Sequence, residues 1–137
     1  GITLSVQPTM LVTDRDVADA HWGAERTPHA FAYRSMLDAG CTLVFGSDAP
    51  VEPLHPLAAI HAAVHRDGGA HGLPPARGAW HPEQCIDLEA ALTATTGSHA
   101  RATGHSDDVV HVVGNDPATW RVVATRLGER WTYRTDH

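Results

Sequence analysis

Two short apolar runs, residues 2–6 and 41–45, bracket a helical pattern, and this arrangement constrains the fold more than any other feature of the chain. The first run alternates apolar and small polar residues and stops at Pro8, which cannot donate to a strand ladder. The second, Cys41-Thr42-Leu43-Val44-Phe45, is continuous and ends in Gly46-Ser47-Asp48-Ala49-Pro50. Between them, Thr27-Pro28 reads as a capping residue followed by proline at the first helical position. Ala30, Tyr33 and Leu37 then recur at helical spacing until Gly40 closes the helix. Residues 14–20 have room for a helical turn or two before Gly23. Strand, helix and strand with short joins form a parallel unit, because parallel strands need a crossover and a helix is the usual one. The fold class read from this order is α/β.

A second helix is expected over residues 56–66, where Leu57, Ile60 and Val64 share one face that would pack on the outside of the sheet. Residues 67–82 are rich in Gly, Pro and Ala without periodicity, so they read as a long loop. Asp87 is placed to cap a helix over residues 88–95, with Glu89 in its first turn favouring the helix dipole. The tail changes character. Residues 109–113, 120–127 and 130–133 are β-rich, and Gly128-Glu129 suits a two-residue type II′ hairpin between the last two.

Asp48 stands out chemically. Gly46 allows a tight backbone, Pro50 stops the strand, and the carboxylate lies at the C-terminal mouth of a buried strand, where parallel α/β folds keep their chemistry. The competing reading is an acid that caps a turn.

The surroundings of Asp48 bear on the choice. Val6-Gln7-Pro8, Gly23-Ala24-Glu25-Arg26 and Tyr33-Arg34-Ser35-Met36-Leu37-Asp38-Ala39-Gly40 precede it. Ala62-Ala63-Val64-His65-Arg66, Trp80-His81-Pro82-Glu83-Gln84 and Leu88-Glu89-Ala90-Ala91-Leu92 follow. This order resembles the amidohydrolase superfamily, specifically amidohydrolase family 3, the branch that includes N-substituted formamide deformylase-like enzymes. The resemblance implies a metal-dependent hydrolase on a (β/α)8 TIM barrel. Such a barrel takes about 250 residues, and this chain has 137. No His-x-His pair and no lysine occur in it. The resemblance therefore implies a C-terminal portion. Residues 1–102 would be a partial barrel, its last two strands with their helices, and residues 103–137 a β-rich part of a small composite β-sandwich. The missing N-terminal part of the same protein would be its partner. The family's usual lead-in to the tail is replaced here by Gly104-His105-Ser106-Asp107-Asp108-Val109, with Asp108 standing where that motif has its aspartate.

Carried over residue by residue, the resemblance makes Asp48 the catalytic acid and a metal contact, taking a proton from the activated water and passing it to the leaving amine. The cofactor it implies is a divalent metal, zinc first, with most ligands outside the chain. Arg26 and Arg34 fall where the family pattern also has arginine. They are candidates to fork a substrate carbonyl, or else ion pairs to Glu25, Asp38 or Asp67. Arg66 fits a cation at a helix C-terminus. Trp80 would line a substrate pocket or cover the barrel edge. The implied activity is hydrolysis of a non-peptide carbon–nitrogen bond in a small amide-type substrate, and the fragment alone would be inactive. A reading from another class is a non-catalytic α/β scaffold or binding module.

Ten arginines against sixteen acids, with no basic run, argue against a nucleic-acid or anionic-membrane surface. No stretch of 18 apolar residues exists. Cys41 and Cys85 lack paired spacing and read as reduced, buried thiols of a cytoplasmic protein, for which a homodimer stays open. Eleven histidines invite a second metal hypothesis at His61 and His65, which have the i, i+4 spacing of zinc proteases. Ala62 stands where that motif needs its glutamate, so both are read as solvent-facing or capping residues.

Overall fold

In a computed structural model of the chain, residues 1–98, 100, 104 and 108–135 are described. His99, His105 and the 102/103 domain boundary lie outside the described residues. Strands β1 (Thr3–Val6) and β2 (Thr42–Phe45) pair in parallel, from Thr3 opposite Thr42 to Val6 opposite Phe45. The mixed α/β order is as the sequence implies, but the crossover differs in detail.

Helix α1 (Met10–Trp22) is longer than the one or two turns expected. Its buried residues, Leu11, Val12 and Ala18, are sparse, and Asp14, Arg15 and Asp16 between them hide the apolar stripe. The single helix expected from Thr27 to Gly40 is broken. A 3-10 turn at Thr27–His29, which no side chain caps, is followed by Phe31 in the left-handed region at φ 51° and then by α2 (Tyr33–Asp38). The break has a tertiary cause. The carbonyls of Ala30 and Phe31 accept bonds from the Arg66 guanidinium, and Phe31 also accepts the Tyr33 amide two residues on, rather than the i+4 amides of a continuous helix. Gly40 does close α2, at φ 79°. Its N–H bonds to Leu37 and that of Cys41 to Met36, the paired pattern of a Schellman stop.

Helix α3 (Pro56–His65) starts on His55, whose Nδ1 accepts the Ala58 amide at 3.3 Å, and ends at Arg66 in the left-handed region. Seven of its residues, from Leu57 to Ala63, are buried, so it is covered on more than the sheet side. Helix α4 (Leu88–Thr95) is capped by Asp87 as read. Leu43 and Phe45 of β2 form the core with Leu11, Tyr33, Ile60 and Ile86.

The tail is an antiparallel sheet in the order β3 (Asp108–Val113), β4 (Arg121–Leu127), β5 (Arg130–Arg134). Leu127 opposes Arg130, and in the turn Gly128 alone has positive φ, at 57°, as type II′ requires. A 3-10 turn at Pro117–Thr119 leads into β4 and packs against α3. The cysteines are free and half-buried rather than buried. Among the described residues, no helix is long and apolar enough to cross a membrane.

Candidate active site at the strand mouths

Parallel pairing brings the chain exits of β1 and β2 side by side. The Gly46 amide bonds to the Val6 carbonyl at 2.9 Å, one residue beyond the strands, and a Cβ at Gly46 would lie 3.9 Å from Gln7 Nε2. The next residues turn away sharply. Asp48 takes φ 55°, a left-handed conformation that aspartate tolerates better than bulkier residues, and its carbonyl accepts the Val51 amide at 2.9 Å. Within the turn, Ser47 Oγ accepts the Ala49 amide at 3.3 Å. The side-chain capping that a structural acid would perform is thus done by the serine. The Asp48 residue is exposed, and its carboxylate has no hydrogen-bond or ion-pair partner among the described residues.

Beside this turn lies a cleft of about 330 Å³, lined by Thr9, Phe45, Ser47, Leu54 and His55 among others. Its wall is mostly apolar with a few polar groups, as in small-molecule sites. Thr9 is 3% exposed and its hydroxyl has no partner among the described residues. Sequence reasoning passed over Thr9, Ser47 and His55. The available signals were positional: Thr9 follows the strand-stopping Pro8, and His55 precedes a proline at a helix start.

Arg26, Arg34 and Trp80 are not brought to this cleft. Arg26 is exposed at the start of the 3-10 turn. Arg34 donates from Nε to the Cys85 carbonyl at 3.2 Å and approaches Asp87 at 3.6 Å, a partner not among the three acids expected. Trp80 is buried with Ala18, Ala30 and Phe31, and its indole N–H bonds to Asp19 at 3.0 Å. The histidine pair of α3 also departs from expectation, since His61 is buried and bonds to the Gly68 carbonyl. Among the described residues, no group of three or more His, Cys, Asp or Glu is arranged to hold a metal ion. As a metal donor at the strand mouths, the described residues offer the free carboxylate of Asp48.

A mixed α/β protein with a free acid at the C-terminal end of a parallel strand belongs to the broad class whose chemistry is carried on strand-mouth loops. More narrowly, the chain belongs to the amidohydrolase family, whose sequence model matches residues 1–114. It is 38% identical over 103 residues to Protein LONG AFTER FAR-RED 3 of Arabidopsis thaliana, covering 74% of this chain and 17% of that protein. It is 32% identical over 98 residues to YtcJ of Bacillus subtilis (strain 168), which bears the name of an amidohydrolase, covering 71% of this chain and 18% of that one. Two solved structures, each described as an uncharacterized metal-dependent hydrolase, are similar. The one from Pyrococcus horikoshii OT3 matches with a TM-score of 0.59 at 29% identity, over 72% of this chain and 19% of that chain. The one from Pyrococcus furiosus matches with a TM-score of 0.56 at 28% identity, over 77% of this chain and 20% of that chain. The chain therefore spans about a fifth of the length of the relatives it matches.

Proposed function

We propose that this chain is the C-terminal part of a metal-dependent amidohydrolase that hydrolyses a carbon–nitrogen bond of a small, non-peptide amide-type substrate. In this reading β1, β2 and their helices, within residues 1–102, are the last two strand–helix units of a (β/α)8 barrel. Residues 103–137 belong to a small β-sandwich completed by the rest of the protein, and the N-substituted formamide deformylase-like branch is the favoured subfamily. Family membership and the fifth of relatives' length that the chain spans support it. The two unpaired cysteines support a cytoplasmic setting.

The observation that carries the proposal is the free, exposed carboxylate of Asp48 beside a cleft, in a turn whose capping is done by Ser47. A divalent metal, zinc in this proposal, supplies water activation when bound, since coordination lowers the pKa of water toward about 7. The remaining donors come from outside the described residues, because one carboxylate does not hold such an ion against water. Asp48 takes the proton of the attacking water and delivers it to the departing amine. Its short side chain leaves the carboxylate few rotamers to move between while it does both. Thr9 and His55 would contact the substrate in the cleft. Arg34 and Trp80 hold the scaffold, their polar groups being engaged elsewhere.

The test is Asp48→Asn in the full-length protein, assayed against a panel of N-substituted amides. Turnover should fall by at least about 10²-fold, the usual worth of general acid–base catalysis, with an unchanged circular dichroism spectrum and reduced metal content. Near-normal turnover in the variant would leave Asp48 a turn residue and favour the scaffold reading.

A further inference from the structure

Four imidazoles form a row that starts at His55, on the wall of the candidate cleft, and runs away from it along α3 and the following loop. His55 and His71 have ring centres 5.1 Å apart, His71 and His61 6.4 Å, and His61 and His65 4.6 Å. None of the four forms an ion pair among the described residues. Three of them are tied to backbone. His61 Nε2 donates to the Gly68 carbonyl at 3.0 Å, His71 Nε2 meets the Pro117 carbonyl, and His55 Nδ1 accepts from the Ala58 amide.

The bond at His55 requires a neutral ring, and burial sets the same demand on His61. His55 must keep Nδ1 unprotonated to cap α3. His61 is 6% exposed and its Nδ1 is buried without a partner, so a second proton there would find no acceptor. The Nε2 of His65 is likewise buried and unpartnered. The neighbouring imidazoles also disfavour a cation on His61 or His55 at these distances. The titratable groups facing His61 are His65, His71 and Asp116, and the one facing His55 is His71. Glu52 shares a second cleft with His55 and His71. Of these, Asp116 alone favours a charged His61, and its carboxylate already accepts the Ala118 amide at 2.7 Å.

The bonds also join separate parts of the fold. His61 ties α3 to the start of the loop at residues 67–78, and His71 ties that loop to the 3-10 turn feeding β4. We propose that this row is an acid-sensitive latch: with His55 and His61 neutral it fastens the β-sheet tail to the helical layer through the loop, and acid opens it by charging the buried His61.

Burial pushes His61 below the usual histidine range, with the Gly68 bond offsetting part of the effect, and burial followed by His71 pushes His55 down. A base whose folded pKa is lowered binds fewer protons folded than unfolded. Its contribution is therefore intact above the unfolded value, about 6.5, and is lost as pH falls below it.

The experiment is hydrogen exchange by mass spectrometry on the full-length protein at pH 7.5 and 5.0, corrected for intrinsic rates. Peptides covering residues 68–74 and 115–121 should lose protection by about tenfold or more at pH 5.0, while α4 keeps its protection. The double variant His61→Gln with His71→Gln supplies a side-chain N–H without a titratable ring, and the pH dependence should flatten. The wild-type comparison needs no variant and decides the matter even if the double variant fails to fold. Equal protection at both pH values, an equal loss over α4, or an unchanged pH dependence in a folded double variant would overturn the latch.

Discussion

Arg66 holds Trp80 three times: its Nε donates to the Trp80 carbonyl, its own carbonyl accepts the Trp80 amide at 2.9 Å, and its guanidinium lies 5.8 Å from the centre of the Trp80 ring. The side chain is fully buried at the end of α3. It also reaches the carbonyls of Phe31 at 2.8 Å and Ala30 at 3.5 Å, with Tyr33 as a second aromatic neighbour at 5.8 Å. No carboxylate bonds to it among the described residues. A planar, weakly hydrated cation with five donors suits such a carbonyl-lined aromatic site better than an ammonium group would.

Removing that side chain should be costly. Arg66→Ala strips a donor from three carbonyls, of which Phe31 keeps the Tyr33 amide, and each buried group left unpaired costs about 1–3 kcal/mol. A loss of about 3 kcal/mol or more in urea unfolding is expected. Arg66→Lys should recover less than half of it, because one ammonium cannot span the three acceptors. A loss below about 1 kcal/mol for the alanine variant would mean that the staple is ornamental.

Tyr33 offers the opposite case. It is 1% exposed, and its hydroxyl has no hydrogen-bond partner among the described residues. Burial drives its ionisation well above the ordinary phenol range, with Arg66 pulling the other way. Deleting an unpaired buried hydroxyl removes a desolvation penalty, so Tyr33→Phe should leave stability within about 1 kcal/mol of wild type or raise it. Thermal unfolding of the two proteins side by side checks this, and a clear drop in the midpoint would reveal a bond to the hydroxyl.

Asp67 organises the loop after α3. Its carboxylate accepts the amides of Gly68 and Arg77 at 2.8 Å each and of Gly78 at 3.1 Å. Burial pushes its pKa up, but the three amide bonds outweigh that and the net shift is downward. An acid with a lowered folded pKa contributes fully above its unfolded value, about 3.9, and loses that contribution as pH falls through the folded one. Asp67→Ala should therefore deprotect the amides of residues 68, 77 and 78 at neutral pH. Wild type should lose them only below about pH 4, a window separate from that of the histidine row. Hydrogen exchange read at single-residue resolution distinguishes the two.

Where local chemistry decides, the sequence was legible. Gly40 stopping α2, Asp87 capping α4 and the Gly128 turn all act through neighbouring backbone, and each element appears at its expected place. The break at Phe31 was not legible, because its cause is a guanidinium 35 residues away in sequence. His61 misled for a related reason: a polar residue among alanines reads as a surface face, yet both sides of that helix are covered. The loop at residues 67–78 lacks periodicity because one carboxylate, rather than repeated packing, sets its path. At the candidate site, Asp48 could be found from its place after β2. The cleft residues Thr9 and His55 come from other elements, and no spacing in the chain announces their approach.

The parallel register of β1 and β2 carries a lesson for anyone redesigning this protein. With Val6 opposite Phe45 and Gly46 bonded to Val6, the height of Asp48 above the sheet is gauged by the chain between Gly40 and Gly46, and beyond Pro50 the turn is closed by the Val51 amide. Inserting or deleting one residue in that stretch would shift the pairing by one and turn every side chain of β2 to the opposite face, exchanging Phe45 for Val44 in the core. Residues 52–54, between the Val51 amide that closes the Asp48 turn and the His55 cap of α3, are under no such gauge. They can be swapped to reshape the cleft while the acid stays at its level, so the cleft can be varied there independently of the position of Asp48.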